Sequence, residues 1–266
     1  MKFINSIGDK AKNTLLKSIA SLIEKNPQSN LPKIIKLSKL LTNDSSSIEM
    51  INSFELSYNQ IPDFKKYIDD LIENTDYKIM NNFVVNILGK NLSLKNKHSN
   101  ISTQNESSPH SLIIDSNSLE LIDQSLNYNN IDKIISDSKK IGIFTFIITG
   151  TEPLSLDFLY DIYEKYSDSL FIPITKEKCI SDSSCKKIIK CGNVVPMFQY
   201  NNDNMDFLRK NGVPSFNMMY LQKLLKQVKS KNNLSNIKTF SLEFNGSSQK
   251  KLIKCSLSDL IARNSI

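Results

Sequence analysis

The chain has 266 residues, 39% hydrophobic and 23% charged, with a net charge of +7. That apolar share suffices for one sizeable core and a smaller lobe. No apolar run approaches the roughly 20 residues of a membrane helix, and Met1-Lys2-Phe3-Ile4-Asn5 lacks the apolar core and cleavage site of a signal peptide. A cytoplasmic protein without a membrane partner is expected. Lysines occur along most of the helical patterns and no motif combining aromatic and basic residues accompanies them. The charge therefore reads as a solvated surface, and no nucleic-acid partner is expected. The four cysteines (Cys179, Cys185, Cys191, Cys255) form no Cys-x2-Cys pair and read as free thiols. His98 and His110 lie in a polar stretch, which leaves little material for a histidine-based metal or catalytic site.

Residues 1–95 have the periodicity of a helical lobe. Phe3, Ile4, Ile7, Ala11, Leu15, Ile19 and Leu22 recur at three- and four-residue spacing. Asn26-Pro27 should end that helix, and the next should begin near Leu31 with Pro32 in its first turn. Further helices are expected over 45–57, 62–73 and 77–88. Residues 96–110 form a linker of Asn, Ser, Lys, Gln and His with almost nothing apolar.

From residue 111 to 266 the pattern alternates between strand and helix. Strands are expected at Ser111 to Asp115, Ile143 to Thr149, Ser169 to Ile174, Val194 to Gln199 and Ile237 to Phe244. The intervening helices are expected at Ile131 to Lys140, Asp157 to Tyr166, Asp182 to Lys190 and Phe216 to Ser230. Residues 251–263 would hold one last element. Repeated βα units with apolar strands imply an α/β fold with parallel strands. Five strands are too few for a closed eight-stranded barrel, so a truncated partial (βα) barrel, preceded by the all-α lobe, is the expected architecture.

The segment from Lys140 to Leu154 resembles part of a known family. A strand from Ile143 runs into Gly150-Thr151-Glu152-Pro153, which is similar to the second strand and Gly-Gly-Glu-Pro motif of radical S-adenosylmethionine (SAM) enzymes. The lobe carries a second likeness, since Glu24-Lys25-Asn26-Pro27-Gln28-Ser29-Asn30-Leu31-Pro32-Lys33 resembles an element at the start of one radical SAM group. The elements occur in the family's order over most of the chain. The resemblance implies a SAM contact at Gly150, Thr151, Glu152 and Pro153, with the Glu152 carboxylate meeting the SAM amino group.

The departures from the family all fall on polar positions. Radical SAM enzymes hold a 4Fe–4S cluster on Cys-x3-Cys-x2-Cys after the first strand, because thiolates are soft anionic ligands. Here the segment from Asp115 to Asn130 contains no cysteine, so no catalytic or metal-binding residue is assigned and no cluster is expected. The second Gly of the strand-two motif is Thr151. The family's Thr-Asn after strand three is Thr175-Lys176, its Ser-x-Glu after strand four is Gln199-Tyr200-Asn201, and one charge remains of a basic pair at Lys210-Asn211. Lys176 enters the space the family gives to SAM and is expected to pair with Glu152. Asp115, at the same mouth, is expected to order its loop. Cys179, Cys185 and Cys191 follow strand three instead of strand one. Six helical residues turn by about 600°, so the last two do not share a face.

These features imply a pseudoenzyme, a radical-SAM-like protein that has lost its cluster site and serves as a binding or scaffold partner of an active enzyme. Three other readings stay open: a SAM- or nucleotide-binding protein without a cluster, a working radical SAM enzyme with atypical ligands, and a decaying gene copy.

Overall fold

The computed structural model describes residues 9–42, 45–84, 111–115, 128–150, 152–176, 180–199 and 203–218, together with residues 220 and 223. The chain forms two compact units, Met1–Ser108 and Pro109–Ile266. The expected strand at 237–244, the last element at 251–263 and the polar stretch 96–110 lie outside the described residues.

The first unit is helical: α1 (Asp9–Lys25), α2 (Pro27–Leu40), α3 (Ser45–Gln60), α4 (Pro62–Glu73) and α5 (Tyr77–Asn81). Its core gathers Ile19 and Ile23 of α1, Leu31, Ile34 and Ile35 of α2, Leu41, and Ile51 and Tyr58 of α3. Those spacings are the apolar stripes that periodicity predicts. One boundary differs from expectation. Pro27, not Pro32, occupies the first turn of α2, and Pro32 lies inside the helix. The reason is the cap. Asn26 has extended backbone and its Oδ1 accepts from the Ser29 amide at 3.0 Å, which starts the helix four residues earlier. Asn30 Nδ2 then donates to the Leu22 carbonyl at 3.1 Å and ties α2 to the end of α1.

The second unit alternates strand and helix: β1 (Leu112–Asp115), α6 (Tyr128–Lys140), β2 (Thr145–Thr149), α7 (Asp157–Lys165), β3 (Leu170–Thr175), α8 (Asp182–Cys191), β4 (Met197–Phe198), α9 (Asp203–Lys210) and β5 (Phe216–Asn217). The five strands form one parallel sheet in the order β1-β2-β3-β4-β5. Parallel crossovers are right-handed, so a sheet that always advances in one direction places its connecting helices on one face. The helices form that layer, with α6 beside α7, α7 beside α8, and α8 beside α9. Local signals fix the ends of α8. Ser181 Oγ accepts from the Ser184 amide at 3.0 Å, and Gly192 closes the helix at φ 66°, a conformation that favours glycine.

The strand pleat sorts the core into two faces. Phe146 and Phe171 are register partners with centroids 5.5 Å apart, and Tyr163 of α7 packs on Phe171 at 4.7 Å. This face is therefore the one that meets the helices. Ile113, Ile147, Ile174 and Met197 occupy the alternate positions and are buried as well. Both faces of the sheet are apolar and covered, which accounts for strands that read as continuous apolar runs.

Two elements correct the sequence reading. Phe216–Asn217 is the fifth strand instead of the start of a helix, because Phe216 pairs with Met197 and Asn217 with Phe198. Before it comes α9, which periodicity does not predict. Asn204 anchors that helix, accepting from the Ile180 amide at 2.9 Å and donating to the Ile180 carbonyl at 3.0 Å.

Candidate functional site

In a parallel α/β sheet, ligands bind outside the carboxyl ends of the strands. Here those ends present Asp115 at the end of β1, Gly150 and Glu152 after β2, Thr175 at the end of β3 with Lys176 after it, Gln199 after β4, and Asn217 at the end of β5. Asp115 and Thr149 are register partners, so the first two strands end level.

The turn after β2 is sharply bent. Gly150 has φ 122°, and Glu152 has φ 49°, a left-handed conformation that costs a residue bearing Cβ about 1 kcal/mol. Thr151 lies outside the described residues. The Ser155 amide donates to the Glu152 carbonyl at 2.9 Å. Tyr160 of α7 donates its hydroxyl to the Leu154 carbonyl at 2.6 Å, which pins the turn to the helix layer. Pro153 and Leu154 are buried, while Glu152 is exposed. The turn thus holds a carboxylate out at the strand end while its neighbours anchor inward.

The expected ion pair between Glu152 and Lys176 is not among those of the described residues, where both side chains are exposed. Two hydrated charges gain little by meeting, and two side chains would lose freedom to do so. Farther along the sheet the strand ends are buried and polar. Thr175 has no exposed surface, Gln199 and Asn217 are each 7% exposed, and the Gln199 amide donates to the Thr175 carbonyl at 3.0 Å. Asn217 Oδ1 accepts from the Tyr220 amide at 2.9 Å and so caps the turn that follows. The burial of Thr175 and Asn217 is not legible in sequence, where the only trace is a polar residue closing an apolar run.

No protein-family model, curated protein or solved structure matches this chain. The assignment of its strand-end residues accordingly rests on their chemistry.

Among the described residues, no three His, Cys, Asp or Glu side chains converge as a metal site. The two described cysteines belong to α8. Cys185 is fully buried, with the Asn204 amide 4.0 Å from its sulfur, and burial pushes the Cys191 thiol up to about 12. A thiol protonated at neutral pH is neither a ready ligand nor a nucleophile. Cys179 and Cys255 lie outside the described residues.

The displaced titrations mark the helix layer and the lobe. The Lys165 ammonium holds the Asp132 carboxyl below the usual range against some burial, and the Tyr166 hydroxyl adds a bond of 2.8 Å. Burial raises Tyr166, with Asp132 contributing. In the lobe, burial pushes Asp69 up, but Lys65 and the Tyr58 hydroxyl outweigh it and bring it down. These are ion-pair networks within helices and between neighbours, which account for the shifts without a catalytic role.

Proposed function

We propose that this chain is a radical-SAM-like pseudoenzyme, a truncated partial barrel that binds a protein partner and carries out no cluster chemistry. The observation that carries the proposal is the composition of the first loop. Asp115 to Asn130 supplies no thiol, and the described cysteines sit on α8, after β3. Sheet topology supports the barrel part of the reading. Strands wound in one direction, with helices on one face and an apolar second face, provide what a curled sheet needs to bury that second face against itself. The Gly150–Pro153 turn supports the ancestry, since it keeps a carboxylate at the end of the second strand.

Anaerobic reconstitution with iron and sulfide tests this reading. The expected result is no visible charge-transfer absorbance and no retained iron after desalting. Stoichiometric iron and sulfide, with cleavage of SAM on reduction, would overturn it. Recovery of a stable enzyme partner on purification from the native cell would supply the other half of the proposal.

A second reading has one observation in its favour. The exposed Glu152 carboxylate remains available to an amino group. Calorimetry with SAM separates this reading from the first: saturable binding that Glu152→Gln abolishes would make the chain a cluster-free SAM-binding protein, and no heat would leave the scaffold reading alone.

A further inference from the structure

The helical unit is polarised in charge. Its first two helices, α1 and α2, carry seven lysines against two acidic residues, which leaves +5, while α3 and α4 carry six acidic residues against two lysines, which leaves −4. The division is complete between α2, which has no acidic residue, and α3, which has no basic one. These charges are largely unmatched within the unit. Lys10, Lys17, Lys25, Lys33 and Lys36 are exposed, as are Glu49, Asp70 and Glu73, and none of them belongs to an ion pair among the described residues. Among those residues one ion pair, Lys39 with Glu55, joins the basic half to the acidic half.

Exposed apolar side chains fall at the same boundary. Leu40 at the end of α2 is 50% exposed, and Met50 and Leu56 on α3 are 43% and 39% exposed. On α2, Lys33, Lys36 and Leu40 recur at three- and four-residue spacing, and on α3 so do Glu49, Asn52 and Leu56, all of them exposed. Each helix therefore turns one row to solvent, and each row combines charge of one sign with a large apolar side chain. The two helices touch. The Lys39–Glu55 pair that bridges them is itself partly open to water, so the seam between them lies at the surface.

We propose that this surface of the helical unit is where the chain pairs with a second copy of itself. A patch that is basic on one side of a seam and acidic on the other is complementary to its own copy after a half turn. That turn sets the basic side of each protomer, α2 with α1, against the acidic side of the other, α3 with α4. Leu40, Met50 and Leu56 supply apolar contact, and the unmatched lysines and carboxylates fix the register. Other occupants match only half of the patch. A polyanion or an anionic membrane suits α1 and α2 but is repelled by α3 and α4, and a basic partner meets the reverse conflict. The inference concerns the helical unit and does not depend on what the strand ends of the second unit bind.

Sedimentation velocity of the full chain over a wide range of concentration tests the proposal. A reversible dimer is expected at low salt, and its dissociation constant should rise as added salt screens the contact. Lys33→Glu with Lys36→Glu turns the basic side acidic, and Glu49→Lys with Asp70→Lys and Glu73→Lys turns the acidic side basic. Each variant alone should dimerise at least about tenfold more weakly than the parent. Mixed in equal amounts, the two should pair with each other more tightly than either pairs with itself, because each supplies the sign that the other lacks. Circular dichroism confirms that each variant keeps the helix content and melting midpoint of the parent. Lys33→Gln with Lys36→Gln, which should weaken pairing by a smaller factor, decides the matter should a reversed variant fail to fold. A monomer at every concentration in low salt, a dimer that neither reversal weakens, or folded variants that do not pair when mixed would overturn the proposal. So would a series of ever larger species in place of a dimer, since that marks a head-to-tail contact.

Discussion

Asn193 shows how one buried side chain can organise a region. It is 2% exposed, and its Nδ2 donates to three carbonyls, those of Tyr163 at 2.9 Å, Tyr166 at 3.1 Å and Ser169 at 3.1 Å. These bonds join the segment between α8 and β4 to the end of α7 and the entry to β3. Asn193→Ala removes this donor from all three carbonyls, of which that of Tyr166 keeps the Ser169 amide at 2.9 Å, and is expected to cost about 2 kcal/mol, measured by urea denaturation. Tyr163 presents the opposite case. Its ring is fully buried, its hydroxyl finds no partner among the described residues, and burial raises its titration well above the ordinary tyrosine value. Tyr163→Phe removes the stranded hydroxyl and keeps the ring on Phe171, so stability should rise by about 1 kcal/mol. Glu152 stores strain of similar size in its left-handed backbone, and Glu152→Gly should relieve part of it, raising the thermal midpoint by a few degrees.

At the scale of elements, the helix layer is laced by charge as well as packed by apolar side chains. Lys165 of α7 reaches Asp132 of α6, while Lys187 and Lys190 of α8 reach Asp157 and Glu164 of α7. Asp132 titrates lower in the folded chain than in the unfolded one. Its contribution is therefore present above the unfolded value of about 4 and is lost as pH falls through the folded value. Asp132→Asn should be less stable than the parent at neutral pH, and the gap should close as pH drops below about 4, as followed by denaturation at a series of pH values. These exposed pairs contribute modestly. The core contributes more: Phe171→Ala removes a fully buried ring between Phe146 and Tyr163 and should cost about 3–5 kcal/mol.

The same elements show how much was legible beforehand. Ile147 and Ile148 sit in an apolar run with β-branched side chains, and Ile131 and Ile135 sit one helical turn apart. Such signals are local, so β1 to β3 and α6 to α8 could be read from sequence. By contrast, α9 buries little beyond Met205 and Leu208, and its anchor is the contact of Asn204 with Ile180, 24 residues away. In sequence, Asn204 reads as a loop residue. Likewise β5 is two residues long and exists through pairing with β4. At the strand ends, Gly150 reads from sequence as a turn residue, but the left-handed backbone of Glu152 and the burial of Thr175 leave no local trace.

For the second unit as a whole, the sheet has two buried faces and only one of them meets the helix layer. Ile147 lies on the other face and is 7% exposed. If that face were an open surface, a polar residue there would be harmless. Ile147→Asn is instead expected to destabilise the second unit by about 3 kcal/mol or more, read as a shift in the denaturation midpoint.

The strand order carries a consequence for how the chain comes into being. Because β1 to β5 lie side by side in the sequence in which they are made, each strand leaving the ribosome finds its neighbour already in place. No gap has to be held open for a later segment, as it must be in sheets whose order reverses. Growth by addition at one edge keeps each closing loop short and confines new pairing to that edge at every stage. A chain of this kind can lengthen or shorten by whole βα units at its growing edge without rethreading what is already built.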